Sequence, residues 1–299
     1  ASLVVTRQDL ARVLLDTSWV QGVHLFGHRR AAVEKRLGDG QPPRDAPIPG
    51  FKELQQLDAE HRPYEMWLAT SELTGARRLL HVHPIEGRGQ ADQQRRQRAA
   101  QREALVYEKL KGAEGVLAYY GHVSDSAGAT QRYALEFEAT TPLLPLLTWL
   151  AEFKPGLPDR LDIAHKVAAA LAEAHGRKVV HRRLHPGAIL VQDAAQPDRV
   201  VLTDFETAKD TTGHAPTVST RAMTQPANLC AAPELLRAGV ANERSDLFSL
   251  GAVLVQLLID RPLFSVVDDV LRPFDFPSIS LDGFAYPAVI AQIVHSLLS

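Results

Sequence analysis

Cysteine is almost missing from this chain of 299 residues: Cys230 stands alone. A single thiol excludes an intrachain disulfide framework and a cysteine-rich metal site. An excess of charge of either sign is also missing. The 33 lysines and arginines nearly balance 35 acidic residues, for a formal net charge of −2, which argues against nucleic-acid binding and a strongly acidic surface. No apolar run reaches membrane-spanning length, and the first residues do not form a signal peptide. The expectation is a soluble chain in a reducing, cytoplasmic compartment, with no membrane contact. Glycine is absent from residues 51–69, which excludes a glycine-rich phosphate cradle from that segment.

Motifs of other chemistries are missing as well. There is no HExxH and no clustered Cys/His pattern, so the twelve histidines read as ordinary structural residues, with no metal site expected. His81 and His83, on one strand, are expected to point in opposite directions and so not to share a ligand. There is no GxSxG, and Ser219 and Ser249 have no evident base, which leaves hydrolysis unsupported.

Apolar residues make up 45% of the chain, enough for a sizeable core. Residues 6–20 read as a short amphipathic helix with Thr6 as cap and Asp9 three residues on. Residues 38–50 are a turn-rich linker, so an extension of 1–50 precedes the main domain. FKELQQL, YEMWLAT and ARRLLHVHP read as strands, with a hairpin turn at 72–75. A helix follows over 91–111, with Ala104, Leu105, Tyr107 and Leu110 as its apolar side. Strands are expected near 116–123 and 132–138, and helices over 143–151, 159–176, 245–259 and 285–298. The segment 181–191 is a loop running into a strand, 200–203 a second strand, and 206–231 a long loop. Arg95, Arg96, Arg98 and Arg102 make a basic stretch at the start of the first long helix. It reads as a solvated face or a partner surface, without the aromatic platform a single-stranded nucleic acid would need.

Four short motifs occur in order: HRRLHPGAIL at 181–190, DFE at 204–206, APE at 232–234 and SDLFSLG at 245–251. With this order of elements, residues 51–299 resemble the eukaryotic-type serine/threonine protein kinase superfamily, including its bacterial members. The resemblance implies a two-lobed α+β fold, with a β-rich N-lobe over 51–138 and a mostly helical C-lobe over 143–299. Carried over position by position, the three glycines of the phosphate loop fall on Ala59, His61 and Tyr64. The phosphate-binding lysine falls on His81, the small residue over adenine on Leu79, and further adenine neighbours on Met66 and Leu190. A slot filled by the protein's own side chains is expected there, with ATP binding weak or absent and no cofactor.

In the same way Glu103 takes the place of the helix glutamate that pairs with that lysine, leaving His81 or an arginine as its partner. The catalytic aspartate is replaced by Arg183, which stays protonated and cannot accept a proton. The metal-binding asparagine is replaced by Ala188. Asp204 keeps the metal-binding position, and Glu206 adds a second carboxylate in place of glycine. His181, Phe205 and Tyr107 match the apolar column between lobes, Arg182 keeps its place, and Asp246 matches the buried aspartate that holds the catalytic loop. Glu234 would need an arginine from a segment beyond Ser299, so truncation, or a substitute from another domain, is expected. The resulting expectation is a catalytically inactive, kinase-like scaffold or allosteric module that meets a protein partner or other domains of a longer chain. The alternative is a divergent ATP-binding serine/threonine kinase, or a nucleotide-sensing module, with unusual metal use.

Overall fold

In the computed structural model, residues 48–57, 64–85, 89–125, 132–139, 142–212, 229–264, 267–271 and 288–298 are described. The chain divides into Ala1–Pro47 and Ile48–Ser299. The first unit, with the helix expected over 6–20 and most of the 38–50 linker, lies outside the described residues. So do Ala59, His61 and Ser219.

The N-lobe is an antiparallel sheet of β1 (Phe51–Leu57), β2 (Glu65–Ser71), β3 (Arg77–Pro84), β4 (Tyr119–Asp125) and β5 (Arg132–Glu138), in the order β1-β2-β3-β5-β4. The hairpin between β2 and β3 closes with Gly75 N–H on the Ser71 carbonyl, and Gly75 has φ of 68°, a left-handed conformation natural to glycine. Both faces of β3 are covered. Leu80 and Val82 join Ile48, Phe51, Ala69 and Ala134 on one side, and Leu79 joins the main core on the other. The helix α1 (Gln90–Lys109) crosses between β3 and β4.

The interior side of α1 is Ala100, Glu103, Ala104, Val106 and Tyr107. Leu105, expected on that side, is exposed, because one residue on from Ala104 is a 100° rotation. The strand expected from 116 begins at Tyr119, since the preceding residues turn to the C-lobe: Leu117 N–H donates to the Leu202 carbonyl and Leu202 N–H to Gly115.

The C-lobe contains β6 (Leu143–Pro145), α2 (Leu146–Phe153), α3 (Leu157–Gly176), β7 (Val179–Val180), β8 (Ile189–Gln192), β9 (Val200–Leu202), β10 (Lys209–Asp210), α4 (Pro233–Ala238), α5 (Glu243–Ile259), α6 (Val267–Leu271) and α7 (Ala288–Leu298). The single helix expected over 143–151 is a strand and then a helix. Pro145 keeps the residue before it extended; 143–145 pair with β8, and Pro145 becomes the N-cap of α2. Helix α5 is buried nearly all round. At Gly251 an added Cβ would come within 3.0 Å of Leu297 and Leu298, so the missing side chain lets α7 lie close against α5. Asn242 and Ser245 form a capping box at the start of α5, which fixes the turn that carries Asp246.

Candidate active site

The cleft is built on a file of rings. Tyr64 stacks on His81 with centroids 4.4 Å apart and planes at 16°. His81 meets Phe137 at 4.4 Å, Phe137 meets Tyr107 at 4.6 Å, Tyr107 meets Phe205 at 5.4 Å and Phe205 meets His181 at 4.5 Å. The offset and edge-on contacts suit the ring quadrupoles, and the file runs from β2 to the loop after β7. Met66, Leu79 and Leu190 are buried, with Tyr64, in the apolar core that runs through both lobes.

At the loop after β7, Asp246 is wholly buried. Its Oδ2 accepts from His181 N–H at 2.7 Å and its Oδ1 from Arg182 N–H at 2.7 Å, while His175 Nε2 lies 2.8 Å from Oδ2. Arg182 has φ of 66°, and its guanidinium donates to the carbonyls of Thr207 and Gly239. Three segments distant in sequence are thus tied to one turn. Glu234 accepts from the hydroxyl of the capping residue Ser245 at 2.6 Å. Ser249 donates to the Ser245 carbonyl within its own helix.

Glu103 sits beneath the file, fully buried, with His83 Nε2 at 3.0 Å and His81 Nδ1 at 3.7 Å. This corrects the expectation that the two imidazoles diverge. Side chains alternate along a strand with a period of two, so residues 81 and 83 share a face. Burial works to raise the Glu103 carboxyl, and the imidazoles of His81 and His83 beside it outweigh that, holding the group below the usual carboxylate range.

Asp204 is wholly buried with φ of 63°. The Tyr64 hydroxyl donates to its Oδ1, and His185 Nε2 stands 3.7 Å from Oδ2. Arg183 and Glu206 form an ion pair, both side chains buried. Ala188 ends a short turn, Pro186–Ala188, and offers only its methyl. Mg²⁺ wants several oxygen ligands in near-octahedral order. In this arrangement the residues do not fit it, because one carboxylate carries the tyrosine, the other carries the arginine, and position 188 has no donor atom. Among the described residues, no group of three His, Cys, Asp or Glu side chains is placed to hold a metal.

The protein kinase domain family model matches residues 85–273, well over half of the chain. This chain belongs to the protein kinase domain family. The matched range holds α1, the loop after β7 and the DFE turn; β1 to β3, with His81, precede it. The chain is 32% identical to the serine/threonine-protein kinase pkn3 of Myxococcus xanthus over 167 residues, 53% of this chain and 29% of that protein. It is 31% identical to the serine/threonine-protein kinase PrkC of Bacillus subtilis over 108 residues, 34% of this chain and 15% of that protein. It is 33% identical to the serine/threonine-protein kinase Pkn1 of Myxococcus xanthus over 146 residues, 46% of this chain and 20% of that protein. The matches span less than a third of these relatives' lengths. The family match and the relatives' names as kinases overturn the expectation that the chain is not an enzyme: losing residues at particular positions does not by itself exclude an altered set of groups in the same cleft. No helix among the described residues is long and apolar enough to cross a membrane.

The loop after β7 yields a pH prediction. His181 Nε2 lies 2.9 Å from the Thr203 carbonyl, so it donates, and Nδ1 accepts the Arg183 N–H at 3.2 Å. A second ring proton would point at that N–H. Burial holds the imidazole below the usual histidine range, against the opposing pull of Asp246 and Thr203. The unfolded chain takes up this proton near pH 6.5 and the folded chain does not. Stability therefore falls as the pH drops below about 6.5, by at most about 1.4 kcal/mol per unit. The contribution of Glu103, whose folded value is depressed, is held until the pH falls below about 4.3, so the two windows separate. The urea midpoint is expected to fall between pH 7.5 and 5.5, with the fall reduced in His181→Gln. An equal fall in the variant would refute the assignment.

Proposed function

We propose that this chain is a divergent serine/threonine protein kinase domain, which transfers the γ-phosphoryl group of ATP to a serine or threonine hydroxyl of a polypeptide. The reading rests on the frame between the lobes: a ring file from Tyr64 to His181 and a loop fixed by Asp246. A cleft of this kind catalyses mostly by positioning and electrostatics. Arg183 cannot accept the proton of the attacking hydroxyl, but its ion-pair partner Glu206 can. In this reading the hydroxyl proton passes to the Glu206 carboxylate, the hydroxyl oxygen bonds to the γ-phosphorus, and the bond to the β-phosphate oxygen breaks, leaving ADP. Arg183 then stands beside the transferring group as a fixed positive charge. A second reading, a module that senses nucleotide without transfer, is favoured by the Tyr64 hydroxyl bound to Asp204.

The test is transfer of labelled phosphate from ATP, with magnesium or manganese, to the chain itself and to serine- and threonine-containing peptides. Wild type is expected to transfer, and Glu206→Gln to be slower by about 100- to 10,000-fold, the range for losing a general base, with an unchanged circular dichroism spectrum. Transfer that Glu206→Gln leaves intact would remove the role of Glu206. No transfer with any metal would leave the sensing reading.

A further inference from the structure

We propose that the His83–Glu103 pair is a proton-dependent tether, which holds α1 against the sheet while the imidazole is charged and loosens the helix when that proton leaves. The tether stands apart from the kinase reading, since neither nucleotide nor metal enters it. Glu103 is fully buried on α1, and its carboxyl is held toward the ionised form. Among the described residues, neither of its oxygens lies in line with a hydrogen-bond donor. A buried carboxylate without directed hydrogen bonds needs a positive charge beside it. At ion-pairing distance stand two imidazoles of β3, His83 Nε2 at 3.0 Å and His81 Nδ1 at 3.7 Å. His83 is the nearer, and its side chain is 9% exposed where that of His81 is sealed, so His83 can exchange its proton with water. Helix α1 also carries Tyr107 of the ring file, so a change in its hold reaches the cleft.

An imidazole changes charge between about pH 5 and 8, which a lysine in its place would not. The other titratable groups facing the pair are His81 on β3, Tyr64 on β2 with Asp204 beyond it, Tyr133 opposite His83 on β5, and Tyr107 and Tyr119. Burial pushes the phenols of Tyr107, Tyr119 and Tyr133 up, so they stay neutral through this range. Below about pH 6.5 the imidazole is charged whether α1 is seated or open, and the pair adds no pH dependence. Above that, the seated helix keeps a proton that the open one releases. Seating therefore weakens as the pH rises, by at most about tenfold per unit for one proton. This window lies above those of His181 and Glu103.

The test is amide hydrogen exchange of the full chain between about pH 6.5 and 8.5, with protection corrected for intrinsic rates and α3 as the internal reference. Protection of residues 100–109 is expected to fall by at least about tenfold over that range, while that of α3 holds. His83→Lys, which stays charged, should abolish the fall. His83→Gln should show low protection at every pH, and His81→Gln should keep the fall. A flat profile in wild type would overturn the tether, as would a fall that survives in His83→Gln or is lost in His81→Gln. Should a variant fail to fold, the ring resonances of His83 in wild type decide. They are expected to titrate over the same range in which protection is lost, and titration outside it would overturn the tether.

Discussion

Asp246→Ala is expected to lower the stability of the domain by about 3–5 kcal/mol, the cost of leaving buried groups without their charged partner, which is a large part of what holds a domain of this size folded. The carboxylate is wholly buried and receives two backbone N–H groups at 2.7 Å, with His175 at 2.8 Å. Alanine would strand the backbone donors of His181 and Arg182 in a buried site. Arg182 also holds a positive φ, a strained conformation that persists only while its neighbours enforce it. The damage should therefore spread to the carbonyls of Thr207 and Gly239, which Arg182 binds. Asp246→Asn should cost less, because its carbonyl can still accept one N–H while its amide faces the other. Urea unfolding followed by circular dichroism would rank the three proteins. An alanine variant within about 1 kcal/mol of wild type, or an asparagine variant worse than alanine, would contradict the account.

Much of this frame is legible in the sequence, because it depends on local patterns. Alternation in FKELQQL, YEMWLAT and ARRLLHVHP marks three strands that form close to those limits, and the apolar run after Asn242 marks the buried α5. The boundaries that move do so where a local rule overrides the pattern, as at Pro145, or where a tertiary pairing captures the residue, as at Leu117. The cleft is less legible. The pairing of both imidazoles with Glu103 was within reach, since a period of two aligns residues 81 and 83. The bond from Tyr64 to Asp204 has no local signal, since 140 residues separate the partners. The same holds for Ser245 on Glu234 and His175 on Asp246. In each case a motif position names one partner, and only the tertiary packing supplies the other.

The second large effect concerns the pair of Glu206 and Arg183, the residue that stands where the resemblance places a catalytic aspartate. Arg183→Ala is expected to destabilise the domain by about 3–5 kcal/mol, because it leaves the Glu206 carboxylate buried without its cation. The side chains are 3% and 9% exposed, so water can compensate little, unlike at a surface pair worth at most about 1 kcal/mol. Glu206→Ala should cost a similar amount by stranding the guanidinium. Removing both with apolar residues of similar length, Arg183→Met with Glu206→Leu, should restore most of the loss, since two desolvated charges gain little over good packing. Wild type, the two alanine variants and the double variant Arg183→Ala with Glu206→Ala form a double-mutant cycle, and a coupling of at least about 2 kcal/mol is expected, within the range for contacting residues. Additive losses would mean that the two charges are held by separate partners. The cycle also bears on catalysis. If Glu206 is the proton acceptor, the variant Arg183→Met with Glu206→Leu regains most of the stability and still transfers phosphate at least about 100-fold more slowly than wild type, which separates the chemical role of the pair from its part in holding the domain together.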